Sequence, residues 1–127
     1  MALHQGKSNR KPTGGRLVCC RGKRKFEISR EIQTTKIGKL SLKQYRSMGS
    51  SSKVGMLLAD YANVLDKKTN TVKRAKIINV KGNSADPNYI QRNIINKGAL
   101  IETDLGDAIV TSRPGQCGAV NAILVDN

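Results

Sequence analysis

The chain has 127 residues, the length of one ordinary domain, and carries 23 Lys and Arg against 9 Asp and Glu, a net charge of +14. A charge of that size concerns partners rather than fold, and it points to a polyanion. It excludes little by itself, but no apolar run approaches the ~20 residues that span a bilayer, the start MALHQGKSNR lacks the apolar centre of a signal peptide, and three cysteines cannot all pair, so the chain reads as intracellular and reduced.

The charge is concentrated at the front. Residues 1–53 hold 14 basic and 2 acidic residues, and residues 54–127 hold 9 and 7. Apolar residues become frequent only from Phe26. Residues 1–25 therefore read as an extended basic arm and residues 26–127 as one globular domain, because self-repulsion without apolar burial disfavours compaction. In NRKPTGGRLVCCRGKRKF (9–26) there are seven cations, no acid, and Pro12 with Gly14-Gly15 as bend points. Gly6-Lys7-Ser8 imitates the end of a phosphate-binding loop, but no glycine stands at the required upstream position. Thr13-Gly14-Gly15 offers backbone N–H groups that suit one phosphate contact.

FEISREI (26–32) alternates, with Phe26, Ile28 and Ile32 on one face of an expected strand. VGMLLAD (54–60), continued by Tyr61–Leu65, and VKRAKIINV (72–80) flank the turn-forming DKKTNT (66–71) and predict a hairpin. In residues 83–98, Asp86 suits a helix N-cap, Pro87 the first position and Gly98 the stop, with Ile90 and Ile94 on one face; one or two turns are expected. ALIETDL (99–105) and AIVTSR (108–113) flank Leu105-Gly106-Asp107, a second hairpin. RPGQCG (113–118) is a turn and AVNAILV (119–125) a closing strand. Some seven short, evenly spaced strands predict a mainly β fold, a small antiparallel β-barrel or sandwich with one short helix.

The candidate chemistry is sparse. Cys19-Cys20, Cys117 and His4 do not have zinc spacing, because adjacent side chains of an extended chain point to opposite sides. Cys117 and His4 lack a third partner for nucleophilic catalysis. Most of the acids read as turn or solvent-face residues. Phe26, Tyr45, Tyr61 and Tyr89 are too few for a base-stacking platform, and their strand positions suit core packing. What remains is phosphate contact by lysine and arginine, which follows nucleic-acid shape and carries little base sequence. No catalytic residue, metal ligand, cofactor or small-molecule substrate is read from the chain.

RKPTGGR (10–16), KRKFEISRE (23–31), TKIG (35–38), DYANVLD (60–66), NYIQRNIINKGALIETDLG (88–106) and above all TSRPGQCGAVNA (111–122) resemble the archaeal–eukaryotic family of small-subunit ribosomal proteins designated eight-e. The compact length is similar to the archaeal form. Ser29, Ile32, Cys117 and Gly49-Ser50-Ser51-Ser52 depart from the family's pattern, and Cys19-Cys20 has no counterpart in it. The resemblance implies a non-enzymatic constituent of the cytoplasmic ribosome, a β-barrel with a basic extension among ribosomal RNA helices and neighbouring ribosomal proteins. It implies RNA contact by Arg10, Lys11, Thr13, Gly14, Gly15 and Arg16, continued by Arg24, Lys25, Arg30 and Lys36, and by Arg113. Charge adds Lys7, Arg21 and Lys23. The competing reading is a basic nucleic-acid-binding protein outside the ribosome, an RNA chaperone or chromatin-type protein.

Overall fold

The computed structural model describes residues 3–4 and 8–125, and the chain divides into two compact units, Met1–Ile32 and Gln33–Asn127.

In the first unit, β1 (Leu3–His4) pairs antiparallel with β2 (Ile28–Ser29), and a single 3-10 turn spans Lys25–Glu27. None of residues 8–32 is buried. The strand expected over 26–32 is thus cut to two residues. Phe26 is 74% exposed and Ile32 84% exposed, so the alternation builds no core face. The cause is Glu27: its carboxylate accepts the Arg24 N–H at 2.9 Å and grips the Arg21 guanidinium, which favours a turn over extension.

The second unit is mainly β, with β3 (Thr35–Ile37), β4 (Ser41–Arg46), β5 (Ser52–Ala59), β6 (Tyr61–Asp66), β7 (Thr71–Gly82), the short helix α1 (Asn88–Gln91), β8 (Ile94–Ile95), β9 (Leu100–Thr103), β10 (Gly106–Val110), the one-turn helix α2 (Pro114–Cys117) and β11 (Asn121–Leu124). Five strands close a barrel in the order β10-β11-β6-β7-β9, and four form a second sheet in the order β4-β5-β3-β8. The barrel is antiparallel at every seam but one: β11 runs parallel to β6, with Ala122 opposite Val64. Closure leaves no barrel strand with an unpaired edge.

The chain passes from the second sheet into the barrel at Asp60. Val54–Asp60 and Tyr61–Leu65, expected as one run, are two strands in two sheets. β7 completes the closure. Its first half, Thr71–Lys76, pairs with β6, and its second half, Ile77–Gly82, pairs with β9 across two register shifts that bend it. Period-two alternation, offset by one residue at the register shift between Ile77 and Val80, drives Val64, Ala75, Ile77, Val80, Ile101, Ala108, Val110 and Ala122 inward, all at most 2% exposed. The core is aliphatic. None of the tyrosines expected in it is buried: Tyr61 is exposed beneath Arg74, Tyr89 is half-buried, and the half-buried Tyr45 donates its hydroxyl to Gln33 Oε1 at 2.7 Å. Ala, Val and Ile side chains fill the interior.

Both expected hairpins form. In the β6–β7 turn, Asp66 accepts the Lys68 N–H at 2.9 Å and the Thr69 hydroxyl at 2.8 Å, while Asn70 takes a positive φ of 51°. In the β9–β10 hairpin the connection is Asp104-Leu105, one residue earlier than expected. The Thr103 hydroxyl donates to the Gly106 carbonyl at 2.7 Å and fixes that register. Asp86 accepts the Asn88 N–H at 2.9 Å, as a capping residue should, but α1 ends at Gln91, and Asn93 just beyond its C-cap Arg92 takes a φ of 50°. Gly98 is not its stop and Ile94 does not share its face. Ile94 and Ile95 are buried β-branched residues that pair with Lys36 and Thr35 as strand β8.

The Thr69 hydroxyl, then the Lys68 N–H, hold the Asp66 carboxyl below its ordinary pKa. A depressed pKa places this stabilisation above the ordinary aspartate range and removes it as pH falls through the lowered value. The Lys68 amide resonance should therefore titrate with Asp66 in acid, and in Asp66→Ala it should show the unbonded shift at every pH. A pH-independent Lys68 amide in both proteins would contradict this account of the turn.

Candidate nucleic-acid interface

The arm motif is a small hairpin. The Lys11 carbonyl accepts the Gly14 N–H at 2.9 Å around Pro12-Thr13, a β-turn with proline at its preferred second position. Gly14 has φ +85°, a conformation that glycine adopts at no steric cost. The hairpin closes through the Lys11 N–H to the Gly15 carbonyl at 2.8 Å and the Leu17 N–H to the Asn9 carbonyl at 2.7 Å, with Arg10 bridged to Arg16. The Arg10 guanidinium donates to the Gly14 carbonyl at 3.0 Å. The bend expected at Pro12 and Gly14-Gly15 thus sets two arginines side by side on one ladder rung. Arg10, Lys11, Thr13, Gly14, Gly15 and Arg16 are all exposed.

Residues 8–27 surround an open concavity that Arg10, Arg16, Arg21, Lys23, Cys19, Cys20 and Glu27 help to line. Arg21 differs from the other cations. Both arms of its fork meet Glu27, at 3.0 and 2.6 Å, and this hydrogen bonding raises its pKa further above the ordinary range. Arg21 positions the Lys25–Glu27 turn, while Lys23, Arg24 and Lys25 stay exposed around it. Arg30 is exposed at the end of this unit. Lys7 lies outside the described residues.

In the second unit Lys36 is exposed on β3, and Arg113 is exposed at the N-cap of α2. The TSRPGQCGAVNA segment explains how Arg113 is presented. The Ser112 hydroxyl donates to the Ala119 carbonyl at 2.9 Å and accepts the Asn121 N–H at 2.9 Å, closing the loop at its neck. Pro114 starts the helical turn, and Gly118, with φ +67°, ends it. A β-carbon on Gly55 of β5 would stand 2.6 Å from the Gly115 carbonyl oxygen, so the helical turn sits directly on the strand's backbone.

The structure adds further exposed cations: Lys43, Arg46 and Lys53 on the β4–β5 hairpin, and Lys73, Arg74 and Lys76 on β7. Arg74 lies over the Tyr61 ring at 4.3 Å and Lys43 over Tyr45 at 5.5 Å. The signal was present in the KRAK run of β7 (73–76), where Arg74 and Lys76 share an outward face opposite the inward Ala75. All three cysteines are exposed thiols. Among the described residues, no three His, Cys, Asp or Glu side chains gather where a metal ion could be held.

A family model described as Ribosomal protein S8e matches residues 4–125. The chain is similar to the small ribosomal subunit protein eS8 of Picrophilus torridus, 50% identical over 125 residues, which are 98% of this chain and 100% of the relative. It is likewise 50% identical to the protein of that name from Methanocorpusculum labreanum, over 98% of this chain and 99% of the relative. The protein of that name from Methanococcus aeolicus is also 50% identical, over 99% of both chains.

Proposed function

The chain belongs to the ribosomal protein S8e family of the small ribosomal subunit, and from that premise we propose that it is a structural constituent that grips ribosomal RNA by its phosphates. It acts without catalysis, cofactor or small-molecule substrate, in the cytoplasm, with neighbouring ribosomal proteins as its other partners. Residues 1–25 serve as the gripping arm and residues 26–127 as the folded domain. The contacts are Arg10, Lys11 and Arg16 on the hairpin, with Thr13, Gly14 and Gly15 supplying backbone and hydroxyl donors. Lys7, Lys23, Arg24, Lys25, Arg30, Lys36 and Arg113 extend the set, and Arg21 supports it through Glu27.

One observation carries this reading. Residues 1–32 hold nine cations against two acids, and none of residues 8–32 is buried. Such a segment gains almost nothing from its own packing and repels itself; a polyanion removes the repulsion and releases condensed counterions. Exposed Leu17, Val18 and Phe26 add apolar surface that an RNA groove or a protein neighbour would cover.

Sucrose-gradient sedimentation of a lysate containing the full chain tests the reading. The protein should travel with the small subunit and leave it in high salt. Recovery with chromatin, with free RNA or at the top of the gradient would place it outside the ribosome instead.

A further inference from the structure

We propose that an aliphatic row on the outside of the barrel docks a positively charged segment of a neighbouring ribosomal protein. The row follows from the strand registers. Leu100 on β9 is paired with Ile109 on β10, Ile109 with Ile123 on β11, Ile123 with Leu65 on β6, and Leu65 with Val72 on β7. Directly paired residues project from the same face of a sheet. That face is the outer one, because the residues that flank these along each strand are buried: Ala108 and Val110 beside Ile109, Ala122 beside Ile123, Val64 beside Leu65. Ile109 is 44% exposed and Val72 64%. Isolated surface aliphatics need no explanation, but five in unbroken lateral register form a stripe. Four strand spacings of ~4.8 Å make it ~19 Å long, the reach of about six extended residues.

The surroundings decide what covers the stripe. One step along β9 and β10 on the same outer face stand Glu102 and Asp107, paired with each other across the strands. The hairpin 100–110 carries Glu102, Asp104 and Asp107 and no lysine or arginine, in a chain of net charge +14. Lys81 offsets one of these charges, meeting Asp107 at 2.7 Å and Glu102 at 3.4 Å. At its β9–β10 end, around Leu100 and Ile109, the stripe borders a net-negative hairpin that repels phosphate and suits a cationic polypeptide with apolar side chains, while Lys67 and Lys68 of the β6–β7 turn stand at its far end. The closed barrel offers no free edge, so such a segment lies across the face by side-chain contact and does not add a strand. On the other side of the stripe, the Asn63 amide donates to Asn121 at 3.0 Å, and Arg74 and Lys76 follow, so the surface changes back to a cationic one within two strand positions.

The proposal relies on the small-subunit reading above only for the assembly in which it is tested. Small subunits carrying the full chain with Ile109→p-benzoylphenylalanine are irradiated, and the adduct is identified by mass spectrometry. A cross-link to a net-positive peptide of another ribosomal protein is the expected result; a cross-link to RNA, to a net-acidic peptide, or none at all overturns the proposal. Asp104→Lys supplies an independent measurement. Docking predicts that it is retained about fivefold less in salt-washed subunits while its affinity for naked small-subunit RNA holds or rises. Equal or better retention overturns the proposal. Should both the parent and variant chains fail to bind naked RNA, the RNA reading fails and the cross-link still judges the stripe.

Discussion

Replacing Arg10, Lys11 and Arg16 together by alanine should lower affinity for small-subunit RNA by roughly 10²–10³ at 0.1 M salt and flatten the salt dependence. The estimate comes from counterion release: each phosphate neutralised contributes about 0.7–0.9 to the slope of log K against log salt, so three lost contacts remove roughly 2–3. The three side chains sit on one hairpin, with Arg10 bridged to Arg16. The rungs that hold this hairpin are mostly backbone to backbone, so the loop survives the loss of the side chains; the Arg10 bond to the Gly14 carbonyl is the exception. The loss should be uniform across RNA sequences, because phosphate contacts carry no base information. Arg21→Ala is the internal control. Its fork is held by Glu27, so it should change the slope by less than one, although it loosens the Lys25–Glu27 turn. A filter-binding titration of the two variants decides the matter. An unaltered slope in the triple variant, or an equal loss in Arg21→Ala, would mean that the arm does not work this way.

The second large effect concerns stability. Gly55→Ala should cost about 1–3 kcal/mol, the usual range for overpacking a filled site. A β-carbon there meets the Gly115 carbonyl oxygen at 2.6 Å and the Tyr45 ring at 3.0 Å. Tyr45 can swing aside, but the carbonyl belongs to the backbone of α2, which is fixed from behind: a β-carbon on Gly115 would be only 2.9 Å from the Gln33 carbonyl oxygen. The strand, the helical turn and the segment entering β3 are therefore stacked backbone on backbone, and none can retreat. For a unit of about this size each kcal/mol lowers Tm by roughly 4–8 °C, a drop that circular dichroism resolves. The variant should also weaken the RNA contact proposed for Arg113, since α2 is that residue's support, without removing any charge. A wild-type Tm for Gly55→Ala would show that the stack has slack.

Much of the barrel is legible in the sequence, because the elements that close it obey simple rules. DKKTNT marks the β6–β7 turn through Asp66 and Asn70, and the alternation of buried Ala62 and Val64 with exposed Tyr61 and Asn63 announces β6. The second sheet is harder to read. In β4, an edge strand, most side chains are exposed, so it shows no period and looks like a polar loop. Ile94-Ile95 is too short a run to separate strand from helix, and only its pairing with β3 decides. At the candidate interface, composition shows where the cations are but not which are engaged. Arg21 and Lys23 look alike in sequence, and only Arg21 has Glu27 within its fork. Gly55 and Gly115 are 60 positions apart by their numbers, and nothing local to either reveals that their backbones touch.

The barrel's one parallel seam has a consequence for synthesis. β6 is made early, but its partner β11 comes last among the barrel strands, and Asn63 must wait for Asn121, 58 positions later. Until Asn121–Leu124 are clear of the machinery that makes them, β6 and β10 present bare edges, and the barrel cannot close however well its two hairpins have formed. The cationic hairpin at residues 9–17 closes over only a few positions and emerges first. The order of translation therefore allows the charged end of the chain to find its polyanion while the domain behind it is still an open sheet.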